Sequence, residues 1–133
     1  MQFKSFLFFL LICPEIVSAQ GVPDLSLLPS RVLIIFSPGV NNDKYREQLL
    51  QLSKDPAGLD KNNISILEIF PTGGLEADGS TMEENKVEKF RKKFKVPDTE
   101  FRIVLLDEKE FILLESGEVA DPATLFKAAG SGK

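Results

Sequence analysis

The 133 residues carry 16 basic and 20 acidic side chains, a net charge of −4, with no histidine and a single cysteine. An acidic chain of this kind is poorly suited to hold nucleic acid or an anionic membrane surface. Without imidazole, and with its one thiol at Cys13, it lacks the residues that most often move protons near neutral pH, ligate transition metals or attack as thiolates.

In chain order, Lys4, the apolar run Phe6 to Ile12 and the small residues Val17-Ser18-Ala19 form the pattern of a secretory signal peptide, with cleavage expected after Ala19. The run is shorter than the roughly 20 residues a membrane span needs, and no span is expected after cleavage. Export to the periplasm or the extracellular space follows. Removal of residues 1–19 takes Cys13 with it, and one lysine and one glutamate, so the mature chain is expected to be thiol-free and to keep its charge of −4. Oxidising compartments permit disulfides. This chain uses none, and its length suits one domain with a self-sufficient core.

Residues 20–30, punctuated by Pro23 and Pro29, read as a flexible arm. Val32 to Phe36 is a continuous apolar run, expected to be a strand buried on both faces. Asn41-Asn42-Asp43 opens a helix with Tyr45, Leu49 and Leu52 at helical spacing. Asp55-Pro56-Ala57-Gly58 either ends that helix or starts a second short one. Ile64 to Phe70 is a second strand, and Thr72 to Thr81 reads as a surface loop. Glu83 to Phe94 is a helix with Val87, Phe90 and Phe94 on one face. Phe101 to Leu106 and Phe111 to Leu114 are strands joined by the short turn Asp107-Glu108-Lys109, hence an antiparallel hairpin. Asp121 caps a last helix with Pro122 at its first position and Leu125, Phe126 and Ala129 inward.

The order β-α-β-α-β-β-α resembles the thioredoxin-like, more narrowly peroxiredoxin-like, fold. That likeness implies a four-stranded mixed sheet between helices over residues 31–129, followed by a short tail at 130–133. Arg31 to Pro38, Asp55 to Leu59, Leu67 to Phe70, Arg91 to Pro97, Phe101 to Leu106 and Ser116-Gly117-Glu118 resemble the DUDES domain, domain of unknown function 4174. That family stands alone in bacterial exported proteins and forms the C-terminal part of sushi-repeat-containing and related secreted matrix proteins. It brings no established catalytic residue.

Redox-active relatives of this fold carry a cysteine at the start of the first helix, where N–H groups and the helix dipole stabilise a thiolate. Here the stretch is Pro38 to Asp43, and Asp43 puts a carboxylate in the thiolate's place. Asn42 and Asp43 are also ordinary capping residues. Arg102, leading an otherwise apolar strand, resembles the arginine that faces the peroxide site in peroxiredoxins. It either holds a small anion with Asn42 and Asp43, or faces solvent at the strand's edge or pairs with a nearby carboxylate. Glu68, which also interrupts an apolar strand, is a candidate ion-pair partner for Arg102.

Gly73 to Ser80 lacks the spacing of a phosphate loop or a calcium loop, and no metal site or cofactor is expected. Asn63-Ile64-Ser65 is a glycosylation sequon. Lys86 to Lys95 reads as the solvated back of a helix, with an acidic partner as the alternative. Together these features point to an exported, non-catalytic binding or scaffold domain, with an unknown protein as its partner. The alternative is a thiol-independent anion-binding protein or enzyme built on Arg102 and carboxylates. If the leader is cleaved as expected, N-terminal sequencing of the exported protein will begin at Gln20.

Overall fold

A computed structural model describes residues 30–130. The expected leader with its cleavage at Ala19, the arm as far as Pro29 and residues 131–133 lie outside the described residues. Among the described residues, the strands are β1 Arg31–Phe36, β2 Ile64–Phe70, β3 Gly73–Leu75, β4 Thr81–Met82, β5 Arg102–Leu106 and β6 Ile112–Ser116. The helices are α1 Asp43–Leu52, α2 Pro56–Lys61, α3 Glu84–Phe94 and α4 Pro122–Gly130.

The apolar run of β1 is buried along its whole length because it occupies the middle of a sheet of order β4-β3-β2-β1-β5-β6. It pairs parallel with β2 and antiparallel with β5, so that Ile34 lies between Leu67 and Val104. Strand alternation then sorts the side chains into two cores. Val32, Ile34, Phe36, Leu67, Ile69, Val104 and Leu106 face α3, through Val87, Phe90 and Phe94. Leu33, Ile35, Ile103 and Leu105 face the other way, against Tyr45 and Leu52 of α1 and Leu125 and Ala129 of α4. Each fully buried aliphatic chain contributes about 1.5–3 kcal/mol, so these two layers dominate the stabilisation.

The helix ends follow their sequence signals. Asn42 accepts the Tyr45 N–H at 3.0 Å, and Asp121 accepts that of Thr124 at 2.9 Å. The segment after α1 is a separate helix, α2, capped by Asp55 on the Gly58 N–H. The β5–β6 pair is the antiparallel hairpin expected. Its turn is held by Asp107, whose carboxylate accepts from the N–H groups of Lys109 and Phe111.

The sheet has six strands, not four. The stretch read as a surface loop supplies the other two: β3 pairs with β2 and β4 with β3. Three- and two-residue strands are too short to show a period, and Gly73-Gly74 reads locally as a turn. Gly74 is there because of a close approach: a Cβ at this position would stand 2.6 Å from the Glu68 carbonyl oxygen. The two short strands carry Met82 into the α3-side core, where it is 2% exposed.

Gly74→Ala is therefore expected to destabilise by about 1–3 kcal/mol, as overpacking against backbone does. Gly39→Ala, whose Cβ meets nothing within 4 Å, is expected to change stability by less than about 1 kcal/mol. Urea unfolding of both variants checks the contrast.

Candidate functional site

The loop leaving β1 is tied down by its own polar groups. Ser37 is fully buried, and its hydroxyl donates to the Gly39 carbonyl at 2.7 Å. Asn42 is engaged as the α1 cap. Asp43 is the exposed first residue of that helix, where a carboxylate is favoured by the helix dipole. The stretch between β1 and α1 is thus closed by a helix cap.

Arg102 stands opposite Phe36 in the β1–β5 register, on the α3 side of the sheet. Its Nε donates to Glu100 at 2.7 Å, and its Nη1 to the Phe94 carbonyl at 2.9 Å and to Glu115 at 3.1 Å. Asn42 and Asp43 begin a helix packed on the opposite face, so the structure does not gather the three residues into one pocket. The suggested Glu68–Arg102 ion pair is not formed either. Glu68 is in register with Ile35, whereas Arg102 follows Phe36, and adjacent positions of a strand point to opposite faces. Glu68 instead accepts a short hydrogen bond from the hydroxyl of Tyr45, which stands edge-on to Phe70 at 5.2 Å. Burial, then the Glu68 hydrogen bond and charge, push the Tyr45 phenol well above its ordinary value.

Two buried polar residues brace this end of the sheet. Gln48, fully buried in α1, makes a reciprocal pair with Ala120: its Nε2 donates to the carbonyl at 2.8 Å and its Oε1 accepts the N–H at 2.9 Å. Arg91 of α3 is 8% exposed and lies 5.8 Å from the Phe36 ring centroid. It donates to the carbonyls of Val96, Pro97 and Ser37. Its buried Nε has no hydrogen-bond partner, with the Asp98 carboxylate at 3.6 Å. Burial lowers the pKa of this guanidinium while Asp98 opposes the change. Arg91 does not belong to the solvated back of its helix. Val87, Phe90, Arg91 and Phe94 are spaced i, i+3, i+4, i+7, the buried stripe of a helix, and Gln48 holds the equivalent place between Tyr45 and Leu52. That spacing was the signal available for both. Of the basic residues around Arg91, Lys86 pairs with Glu76 and Lys93 with Glu110.

Two cavities adjoin at Pro71. One, of about 530 Å³, is mostly apolar and lies beside the β1–α1 loop, lined by Pro38, Val40, Phe70, Gly73, Leu75 and Thr81 among others. The other, of about 360 Å³, is lined by Glu84, Glu88, Arg91 and Asp98. Among the described residues no group of three metal-ligating side chains is assembled. No helix among them is long and apolar enough to cross a membrane.

The family described as Domain of unknown function (DUF4174) matches residues 29–128. No curated protein matches the chain. Among solved structures, the reduced 2-Cys peroxiredoxin of Plasmodium vivax is similar, with a TM-score of 0.53 at 15% identity over 77% of this chain and 76% of that one. The likeness shows a shared thioredoxin-like fold.

Tyr45 is the chain's one tyrosine, and there is no tryptophan, so phenolate absorbance reports this site alone. In the folded protein the absorbance is expected to rise well above pH 10, the ordinary tyrosine value, and in urea near it. The folded phenol keeps its proton where the unfolded one has lost it. The stability contributed by Tyr45 therefore holds below that pH and declines as pH rises further. Glu68→Gln is expected to move the folded titration back toward the ordinary value, read by the same absorbance.

Proposed function

The chain belongs to the DUF4174 family, a domain of unknown function, and on that premise we propose that it is an exported, non-catalytic binding module built on a thioredoxin-like frame. The observation that carries the reading is the closed cap after β1. Where the fold's redox chemistry needs a thiolate, Asn42 is bonded to the Tyr45 N–H and no cysteine is present among the described residues. Export to the periplasm or the cell exterior is supported by the leader pattern at residues 1–19.

The anion-binding alternative loses support from the same geometry. An anion arriving at Arg102 would compete with two carboxylates already held within 3.1 Å, and Asp43 lies on the other side of the sheet. The cavities beside Pro71 offer a concave surface for recognition, at the end of the sheet where this fold places its functional loop.

The processed protein is expected neither to consume hydrogen peroxide nor to reduce insulin disulfides above the buffer rate, and thiol-blocking reagents are expected to change nothing. Turnover of either substrate by protein purified to homogeneity would overturn the non-catalytic reading. Detection in the cytoplasmic fraction with residues 1–19 intact would overturn export.

A further inference from the structure

The two edges of the sheet differ. β4, at one end, is two residues long. β6, at the other, is five residues long and, among the described residues, pairs with β5 alone. Every second residue of such a strand turns its N–H and C=O away from the sheet. Open edges recruit other chains unless shortness, proline, lysine or a cover blunts them. β4 is blunted by its length. From Phe111 to Ser116, β6 has neither proline nor lysine. Its one register shift passes over Leu113 and leaves that residue unpaired rather than closing the edge.

The side chains here are apolar and bare. Phe111 is 66% and Ile112 50% exposed, matched among the described residues only by Val40 and Leu50. The charge around them is already spent within the molecule. Glu115 is held by Arg102, Glu110 by Lys93 and Glu118 by Lys44. Glu108 lies 3.8 Å from Arg31, and Asp107 accepts the N–H groups of its own turn. Like charges therefore do not bar two such edges from meeting, and no charged ligand is called for.

We propose that β6 is the contact through which two copies of this chain associate, paired antiparallel about a two-fold axis into one continuous sheet. A neutral apolar strand is complemented by another of its kind, and each copy supplies an identical one. Antiparallel self-pairing is isologous, so every contact is made twice. The axis stands perpendicular to the sheet and keeps both α3 layers on one side. Ile112, which is in register with Leu106 of the α3-side core, is then carried onto that same side of the facing strand. The assembly also closes. Once both β6 edges are used, only β4 remains open, and two residues are too few to carry a further strand. The inference does not depend on the cavities at Pro71 or on the binding reading.

The test is sedimentation equilibrium of the whole protein as its host produces it. A five-residue edge buries less than the roughly 1,200–2,000 Å² of a tight interface, so a shift from monomer to dimer is expected across the micromolar range. Each copy carries a net charge of −4, and added salt is expected to strengthen the association by screening it. Ile112→Lys is expected to raise the dissociation constant about tenfold or more, with Phe111→Lys as the second edge variant if the first does not fold. Val40→Lys, an exposed apolar position beyond the opposite end of β1, is expected to change nothing. In hydrogen exchange, the amides of β6 are expected to slow as concentration rises.

A monomer throughout that range overturns the proposal, and β6 amides slow at every concentration would then assign the edge to a cover supplied by the rest of the chain. Association that both β6 variants leave intact overturns it, as does association that Val40→Lys weakens. A dimer whose β6 amides do not respond to concentration overturns strand pairing. Weakening by salt marks a charge-driven contact, and oligomers beyond the dimer mark an open one; either result overturns the closed two-fold arrangement.

Discussion

Everything in this domain hangs on the double burial of β1. A strand paired on both edges and covered on both faces must be apolar throughout, and from Val32 to Phe36 it is. With that strand fixed, β2 and β5 have their registers set by Ile34 and its neighbours. A slip of one residue would turn each apolar set to the wrong core. The same constraint explains why Glu68 and Arg102, the charged residues of β2 and β5, lie on opposite faces. Each is satisfied by its own layer, Glu68 by Tyr45 and Arg102 by Glu100 and Glu115.

The carboxyl end of β1 opens into a firmly held loop. Its loop is held from three directions: by Ser37 on Gly39, by Asn42 on the first turn of α1, and by Arg91 reaching across from α3 to the Ser37 carbonyl. A buried guanidinium spent on backbone carbonyls suits a loop kept in one shape, because removing it would leave several buried acceptors unpaired. Gln48 does the same for the approach to α4 through Ala120. The loop after β1 is therefore held in one shape, and the cavities about Pro71 lie alongside it.

Much of this was legible from residue order. The unbroken run of β1, the capping residues Asn42, Asp55 and Asp121, and the Asp107 turn announce local structure, because each acts within a few residues of itself. The family likeness was legible for a related reason: the order and spacing of such segments are linear properties. The candidate site was less so. Asn42, Asp43 and Arg102 were chosen by analogy with a thiolate pocket, and the sheet separates them. Arg91 and Gln48 sat in plain helical stripes and were passed over because polar residues are usually placed outward.

By itself, then, the sequence determined the four longer strands, the helices α1, α3 and α4, their order and the absence of thiol and imidazole from residues 30–130, since these follow from side-chain chemistry and short-range periodicity. Tertiary structure alone decided which polar residues meet. It turned Gly73 to Met82 from apparent loop into two strands, because their hydrogen-bond partners lie on other segments. It sent Glu68 and Arg102 to opposite faces, because that choice depends on the parity of their registers with β1. It also set the cavity at Phe70 and the acidic turn at Glu84 and Glu88 on opposite faces of the sheet, a placement that exists only once β2, β3 and α3 have packed.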